Sequence, residues 1–326
     1  MPGCIGRHIQ DALNTCWNPP SPPTKSVHRY AALLGVDSDL RTHWLALLAR
    51  MPAYPMQTLH WVRNASAIVN GAQLSGRPIM VEAAAGPTPE AGAAAARAGN
   101  STITWPWCNV EYPITNFAAM WPTDEIGTLQ TTDHDLLDAA KTTVYGLNNY
   151  TGYVFKGSRT PFANTNGFGL SWPPAVRVSG AADAELLMLK LANAAQAVTG
   201  PNGIIANGGG MLENMGAVIA VNDMLFQSHA GALRFFPVWN AAVFGPARFR
   251  TLRGYGAFLA SASMNAAGVV APIVLLSERG ADCVVESPWP RLVVVSGGHA
   301  VATTSKGGVL YSFPTTAGAT YTLSPA

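Results

Sequence analysis

The sequence predicts a mixed α and β protein in which helices come first and strands follow. Three observations support this: apolar residues recur with helical periodicity before residue 229, short β-type runs follow it, and 326 residues suffice for two domains. Because runs of helices followed by runs of strands are typical of two-part chains, we expect a boundary near His229. The expected parts are an irregular segment (residues 1–29), a helical domain (residues 30–228) and a β domain (residues 229–326).

Several helices are predicted before the boundary, each from an apolar stripe and its end signals. They are Tyr30–Leu34, Leu40–Met51, Asp133–Leu147, Ala181–Val198 and about Leu212–Gln227. A further helix is expected to begin at Asp124 and Glu125. Residues 100–128 are dense in aromatic residues and prolines, which favours irregular chain running over a site.

Short strands are predicted after the boundary because β-type runs alternate there with glycine, proline and asparagine turns. The runs are Ala232–Trp239, Ala257–Ser263, Val269–Ser277, Cys283–Glu286, Leu292–Ser296, Val301–Thr304, Val309–Phe313 and Thr320–Leu323. We expect them to form a small antiparallel domain resembling a β-sandwich.

Composition and charge exclude several classes of protein. Hydrophobic residues make up 48% of the chain and charged residues 12%, so the chain is expected to fold rather than remain disordered. The formal net charge is +2 and the charges are scattered, which argues against nucleic acid as a partner. No apolar run approaches the ~20 residues that span a bilayer, so no membrane partner is expected.

The cysteines give little evidence of a structural metal or a framework of disulfides. Cys4, Cys16, Cys108 and Cys283 are far apart and lack the spacing of a zinc site. A Cys4–Cys16 disulfide is one alternative, and isolated buried or inert thiols are the more common one. Three N-x-S/T triplets suit a secreted glycoprotein, whereas the first residues lack the apolar region of a signal peptide. The protein is therefore expected to be cytosolic, or secreted if this chain lacks its true N-terminus.

Two carboxylates stand out as candidates for acid–base chemistry. Glu111 is flanked by aromatic residues, whose desolvation would favour the protonated form that a general acid needs. Glu213 follows three glycines and begins a helix, where backbone N–H groups and the helix dipole favour the anionic form that a general base needs. The alternatives are a solvated loop glutamate at position 111 and an ordinary helix N-terminal carboxylate at position 213.

Other motifs are weaker. The histidines never show the i, i+4 spacing of a metal site, and Ser171, in Gly-Leu-Ser-Trp-Pro, does not complete the G-x-S-x-G pattern of a nucleophile elbow. Asp124 and Glu125 are minor candidates for catalysis, and Asp223, in the middle of a predicted helix, is expected to be structural. Two carboxylates accompanied by aromatic residues that can stack on a sugar are what glycoside hydrolysis uses.

Two segments near the boundary form a distinctive pattern. The first runs from Asn214 to Gly231 and continues as Leu233-Arg-Phe-Phe-Pro-Val-Trp239; the second is Phe249-Arg-Thr-Leu-Arg-Gly-Tyr-Gly-Ala-Phe258. In order and spacing these segments resemble glycoside hydrolase family 95, the α-L-fucosidases and their relatives, at the exit from its (α/α)6 barrel into its C-terminal β domain. Weaker similarity in Trp44–Pro55 and Tyr112–Pro122 extends the resemblance over about residues 30–290.

The resemblance implies an inverting hydrolase without a cofactor, acting on terminal sugars of oligo- or polysaccharides, with residues 30–228 as part of an (α/α)6 toroid. The family's general-base aspartate falls at Leu212, so Glu213 is the expected base. Glu111 is the expected acid, with Glu82 as a competitor. The residues expected to bind the sugar by hydrogen bonds or stacking are Asn109, Asn116, Asn207, Trp105, Trp107 and Trp121.

Two departures from the family pattern keep a second hypothesis open. Leu212 cannot act as a base, and the chain has no room for the family's N-terminal β-sandwich and complete barrel. We therefore weigh two functions. One is an inverting, α-L-fucosidase-like hydrolase whose two carboxylates lie ~6.5–9.5 Å apart. The other is a non-catalytic remnant that acts as a carbohydrate-binding or structural module.

Overall fold

The computed structural model describes residues 31–32, 34–50, 54, 56–58, 77–80, 119–121, 124–150, 168–198 and 211–326. Within these ranges the protein is mixed α and β, with the longer helices before residue 226 and two antiparallel-rich sheets after it, where one short helix, Ala241–Phe244, also lies. Among the helices so described, none combines the length and the apolar character needed to cross a membrane.

The described helices before residue 226 are α1 (Ser38–Leu48), α2 (His134–Tyr150), α3 (Phe168–Arg177), α4 (Ala184–Val198) and α5 (Met211–Leu225). A 3-10 turn, Ala181–Asp183, leads directly into α4, and β1 (Met56–Thr58) pairs antiparallel with β2 (Pro78–Met80). The helices predicted from Leu40, Asp133, Ala181 and about Leu212 are confirmed, with ends that differ by at most three residues.

Helix α3 is an element that the sequence did not predict, since Pro173 and Pro174 lie inside it. Proline lacks a backbone N–H and usually breaks the interior of a helix. Burial opposes this effect here, because Trp172, Ala175 and Val176 are at most 1% exposed and belong to the helical core. Because α3 packs along α5, tertiary contacts stabilise a helix that its local sequence disfavours.

The helix expected to begin at Asp124 and Glu125 is a wrong prediction, because residues 124–130 form loop and turns. Asp124 has a φ of 58°, in the left-handed region. The backbone N–H groups of Glu125 and Ile126 both donate to the carbonyl of Ala119, over 2.8 and 2.9 Å. These two bonds fold the chain back onto residue 119 where a first helical turn was expected.

The core of the helical part lies between α2, α3, α4 and α5. Its largest fully buried side chains are Trp172, Tyr145, Met120, Ile126, Leu187 and Met224. Two buried polar contacts tie its elements together: the Tyr145 hydroxyl and Ser179 Oγ lie 2.7 Å apart, and Met80 N–H donates to Thr143 Oγ1 over 2.7 Å. The second contact fixes β2 to α2.

Residues 226–326 form two sheets that share one core. The strands are β3 (Phe226–Gln227), β4 (Leu233–Phe235), β5 (Ala247–Gly254), β6 (Phe258–Met264), β7 (Ile273–Ser277), β8 (Cys283–Glu286), β9 (Leu292–Ser296), β10 (His299–Ala300), β11 (Thr304–Gly307), β12 (Leu310–Phe313) and β13 (Thr320–Pro325). The order β10-β9-β13-β7-β6-β5 is antiparallel throughout; in β11-β12-β8-β4-β3, β4 and β8 are parallel. Leu275 and Leu323 of the first sheet meet Val285 and Phe313 of the second in the core.

Most strand predictions are confirmed, two of them (Cys283–Glu286 and Leu292–Ser296) to the residue. The strand predicted at Val301–Thr304 is wrong, because the chain turns back at Gly297 and Gly298, both with positive φ, and pairs with β9 already at His299–Ala300. Strand β5 was not predicted. The last two residues assigned to the helix at Leu212–Gln227 form β3 instead.

Candidate functional site

Two of the residues predicted for the site lie in the described chain. Glu213 is the third residue of α5, as predicted, next to Leu212. Trp121 is partly buried in a turn beside Met120, a fully buried core residue. The others lie outside the described residues: Glu111, Asn109, Asn116, Asn207, Trp105 and Trp107, and also the competing Glu82. The separation of the two predicted catalytic carboxylates therefore stays a prediction.

A group of charged side chains lies where the helices give way to the strands, and we call it the junction cluster. Its members are Arg177, Asp124, Asp223, Arg234 and Glu286. Thr128 connects its two halves, because its N–H donates to the carbonyl of Arg177 over 3.1 Å and its hydroxyl accepts from Arg234 Nη1 over 2.9 Å.

Arg177, the last residue of α3, holds two carboxylates at once. Its Nε donates to Asp223 Oδ2 over 3.1 Å, and its Nη1 donates to Asp124 Oδ1 and to the carbonyl of Met120. The three charged side chains are 8–15% exposed. Burial raises the pKa of Asp223; Asp124 raises it further, and the positive charge of Arg177 opposes both.

Arg234 forms the second half of the junction cluster. It is the second residue of β4, and the parallel register with β8 places it opposite Glu286. Its Nε donates to Glu286 Oε2, and its Nη1 donates to Gln227 Oε1 over 3.0 Å. Since arginine has no hydrogen-bond acceptor, the Gln227 amide must turn its oxygen toward Arg234.

Gln227 and His229 add two further polar side chains near the arginines of the junction cluster. They are 1% and 2% exposed, and within the described part of the chain neither Gln227 Nε2 nor His229 Nε2 has a hydrogen-bond partner. Burial, together with the positive charges of Arg177 and Arg234, lowers the pKa of His229 to about 3. The imidazole is therefore neutral at physiological pH.

Tyr54 and Glu125 form a separate polar contact in the helical part. The Tyr54 hydroxyl donates to Glu125 Oε2. Burial raises the pKa of Tyr54, and the hydrogen bond and negative charge of Glu125 raise it further. The phenol is therefore neutral and acts as a donor that holds Glu125.

An open cavity of 470 Å³ lies between the 3-10 turn at Ala181–Asp183 and the β part. It is lined by Ala181, Ala182, Trp239, Asn240, Ala241, Ala242, Met264, Ala266, Ala267 and Gly268. Trp239 Nε1 donates to the carbonyl of Gly245, and Asn240 Oδ1 accepts from the N–H of Ala242. Among the described residues, the wall of the cavity is mostly apolar, with Asn240 as its polar side chain besides the indole N–H of Trp239.

Asp223 of the junction cluster lies too far along α5 from Glu213 to be its partner in an inverting pair. Glu213 and Asp223 are ten residues apart on α5, which corresponds to about 15 Å along the helix axis. Inverting carboxylates are ~6.5–9.5 Å apart. In the described residues, moreover, no group of three or more His, Cys, Asp or Glu side chains has the arrangement of a metal site. The charged side chains of the junction cluster pair with one another, which is the arrangement of an ion-pair network.

The roles of Arg177 and Arg234 and the burial of His229 were not predicted from the sequence. The partners of these residues lie far along the chain: 46 residues separate Arg177 from Asp223, and 52 separate Arg234 from Glu286. The one available signal was the pair of arginines within apolar segments, because arginine is rarely buried unless paired.

Comparison with known proteins adds no relative. No family model matches the chain, and no curated protein matches it either. The resemblance to glycoside hydrolase family 95 therefore rests on the quoted sequence segments alone.

Proposed function

We propose that the protein is an inverting glycoside hydrolase, similar to the α-L-fucosidases of family 95, that acts on terminal sugars of oligo- or polysaccharides. The observation that carries the proposal is the position of Glu213 in the first turn of α5, directly after three glycines. A first turn has backbone N–H groups without helical partners and the positive end of the dipole, and both favour an ionised carboxylate. An ionised carboxylate is the form that a general base needs.

Contacts at the C-terminal end of α5 support the proposed role of Glu213 as the general base. Asp223 is bound to Arg177 of α3, and α5 continues without interruption into β3 of the β part. A buried ion pair and the sheet thus fix the C-terminal end of the helix that carries Glu213. Catalytic carboxylates need such rigid support.

The remaining roles follow from the sequence resemblance. Glu111 would protonate the leaving oxygen while Glu213 activates a water molecule on the opposite face of the sugar. Helices α1–α5 would form part of an (α/α)6 toroid. Glycoside hydrolysis by two carboxylates needs no cofactor, so none is proposed.

A second function, a non-catalytic carbohydrate-binding or structural module, is favoured by a different observation. Buried carboxylates of the described chain already hold structural partners: Asp124 and Asp223 bind Arg177, and Asp183 binds Lys141 over 2.8 Å. None of the described residues that line the cavity beside Trp239 is acidic. A remnant that has lost catalysis would keep such a framework.

The first experiment measures release of p-nitrophenol from α-L-fucoside, α-galactoside and β-galactoside substrates by the purified full chain. We expect turnover that falls at least about a hundredfold in Glu213→Gln and in Glu111→Gln, because each variant removes an acid–base group. Glu185→Gln is the matched control, since Glu185 is exposed on α4. Equal turnover in the Glu213 variant and the wild type would refute the proposed base.

The stereochemistry of the product tests the inverting mechanism separately. Proton NMR during hydrolysis identifies the anomer that forms first, before it equilibrates. We expect inversion at the anomeric carbon, since a water molecule activated by Glu213 attacks opposite the leaving group. Retention would rule out this arrangement. A folded protein without turnover on any of the glycosides would favour the non-catalytic module.

A further inference from the structure

Strand β5 lies at one edge of the six-stranded sheet and carries three exposed arginines, Arg248, Arg250 and Arg253. The register with β6 places Arg248 opposite Ser263 and Arg253 opposite Leu259. These positions lie on the face away from the core. In the described chain β5 pairs with β6 alone, so this edge of the sheet is open.

The charge of the protein is distributed unevenly between its two parts. Residues 226–326 contain seven Lys and Arg against three Asp and Glu, a net charge of +4 with histidine neutral. Residues 1–225 contain thirteen Lys and Arg against fifteen Asp and Glu. The small net charge of the whole chain therefore includes a basic β part. Three of the seven cations of residues 226–326 lie on β5. A basic surface of this kind attracts anionic partners.

The choice of arginine over lysine points to recognition rather than to protection of the edge. Exposed edge strands are usually protected from aggregation by charges, especially lysine. Six of the seven cations of residues 226–326 are arginines, whose planar guanidinium binds carboxylates in a two-point contact. Arg253 already does so, donating from Nη1 to Glu278 Oε2 and from Nη2 to Glu278 Oε1. The side chains of Arg248 and Arg250 make no hydrogen bond or ion pair within the described residues.

Two local features shape this edge. A β-bulge between Phe249 and Leu252 includes Thr251, a β-branched residue at a φ of 50°, whose N–H donates to Ser261 Oγ over 3.0 Å. Bulges redirect neighbouring side chains, and strained non-glycine backbone is concentrated at functional places. Just after β5, Tyr255 is 51% exposed, and a tyrosine ring combines an apolar face with a polar hydroxyl.

We propose that this edge, formed by Arg248, Arg250 and Tyr255, binds a carboxylate-bearing polysaccharide. The two arginines would each take a uronate carboxylate in the two-point contact that Arg253 makes with Glu278, and Tyr255 would pack against a sugar ring. From Arg248 to Tyr255 the edge extends about 20 Å, room for several sugar residues of an extended chain. The choice of a polysaccharide over other polyanions rests on the proposed glycoside hydrolase function, but the binding does not use Glu213.

The test measures binding of the purified full chain to immobilised polygalacturonate and to neutral dextran over a range of salt concentrations. We expect salt-sensitive binding to polygalacturonate and none to dextran. The Arg248→Gln/Arg250→Gln variant should lose about tenfold or more in affinity, because two charge-assisted contacts are removed. Arg248→Lys/Arg250→Lys, which keeps the charge but not the planar fork, should recover only part of it. Glu213→Gln should bind like the wild type, so failure of catalysis and failure of binding are distinguishable.

Matched controls separate a site from general charge attraction. Arg291→Gln/Lys306→Gln removes the same charge from other exposed positions of the β part and should bind like the wild type. An equal loss in that variant would overturn the proposal, since net charge alone would then explain binding. Tighter binding to poly-L-glutamate or to single-stranded DNA than to polygalacturonate would also overturn it, in favour of an acidic protein or a nucleic acid.

Discussion

Arg177 at the end of α3 donates a hydrogen bond from Nε to Asp223 Oδ2 near the end of α5, over 3.1 Å. The side chains are 8% and 15% exposed, so little water screens the pair. Asp124 binds the same guanidinium through Nη1. One buried cation thus holds two buried carboxylates, a helix end and a turn together.

The first prediction concerns removal of this cation. Arg177→Met keeps much of the side-chain volume but leaves Asp124 and Asp223 buried without a positive partner. Removing one partner of a buried ion pair costs about 3–5 kcal/mol, so we expect a loss of unfolding free energy of that order. Urea unfolding followed by circular dichroism measures it. Asp223→Asn should destabilise much less, because its amide oxygen still accepts from Nε and one of two neighbouring negative charges is removed.

The matched control is Arg253→Gln, which breaks an ion pair on the protein surface. Arg253 is 62% exposed, and solvent screens its contact with Glu278. We expect its unfolding curve to coincide with that of the wild type. If Arg177→Met and Arg253→Gln shifted the midpoint of urea unfolding equally, the junction cluster would not be a buried network.

The part of the fold that could be predicted from sequence is the part that local pattern determines. Cys283–Glu286 and Leu292–Ser296 are short apolar runs bounded by turn residues, and both were placed to the residue. Helix α3 could not be found in this way, because Pro173 and Pro174 oppose helix locally and the stabilising contacts come from α5. Strand β5 escaped prediction although Phe249 is buried between exposed Arg248 and Arg250.

In the candidate site, too, the features set by neighbouring residues could be predicted and those set by distant residues could not. The position of Glu213 at a helix start follows from neighbouring residues, namely the three glycines and the apolar stripe after them. The contacts of Arg177 depend on residues 46 and 53 positions away, and no local pattern encodes such pairs. For the same reason Asp223 could be recognised as structural while its partner could not be named.

The second prediction concerns the pH dependence of stability. His229 has a pKa of about 3 in the folded protein against 6.5 ordinarily. Between these values the unfolded chain binds a proton that the folded protein does not, so the contribution of His229 to stability falls as the pH falls through this window. Relative to His229→Gln, the wild type should lose about 2–3 kcal/mol between neutral pH and a pH near 4.5. Urea unfolding at a series of pH values measures the difference.

Because the wild type and His229→Gln share all other titrating groups, the difference between them leaves out the contributions of those groups to stability, including that of Asp223. The pKa of that carboxyl is raised, so its contribution has the opposite sign: it is present at low pH and is lost as the pH rises through the raised value. His299→Gln, which removes an exposed histidine on β10, is the matched control for the loss of a histidine. Parallel curves for the wild type and His229→Gln would mean that His229 is not buried as described.

The third prediction tests which face of β7 meets the core. Leu275 is fully buried, opposite Ala260 of β6 and Tyr321 of β13, whereas its neighbour Val274 is 44% exposed. Because adjacent residues of a strand point to opposite faces, Leu275→Ala should leave a cavity and cost about 2–5 kcal/mol, while Val274→Ala should change stability by no more than about 0.5 kcal/mol. Thermal and urea unfolding compare the two. Equal losses would contradict the register of β7 with β6 and β13, since a shift by one residue exchanges the inward and outward faces.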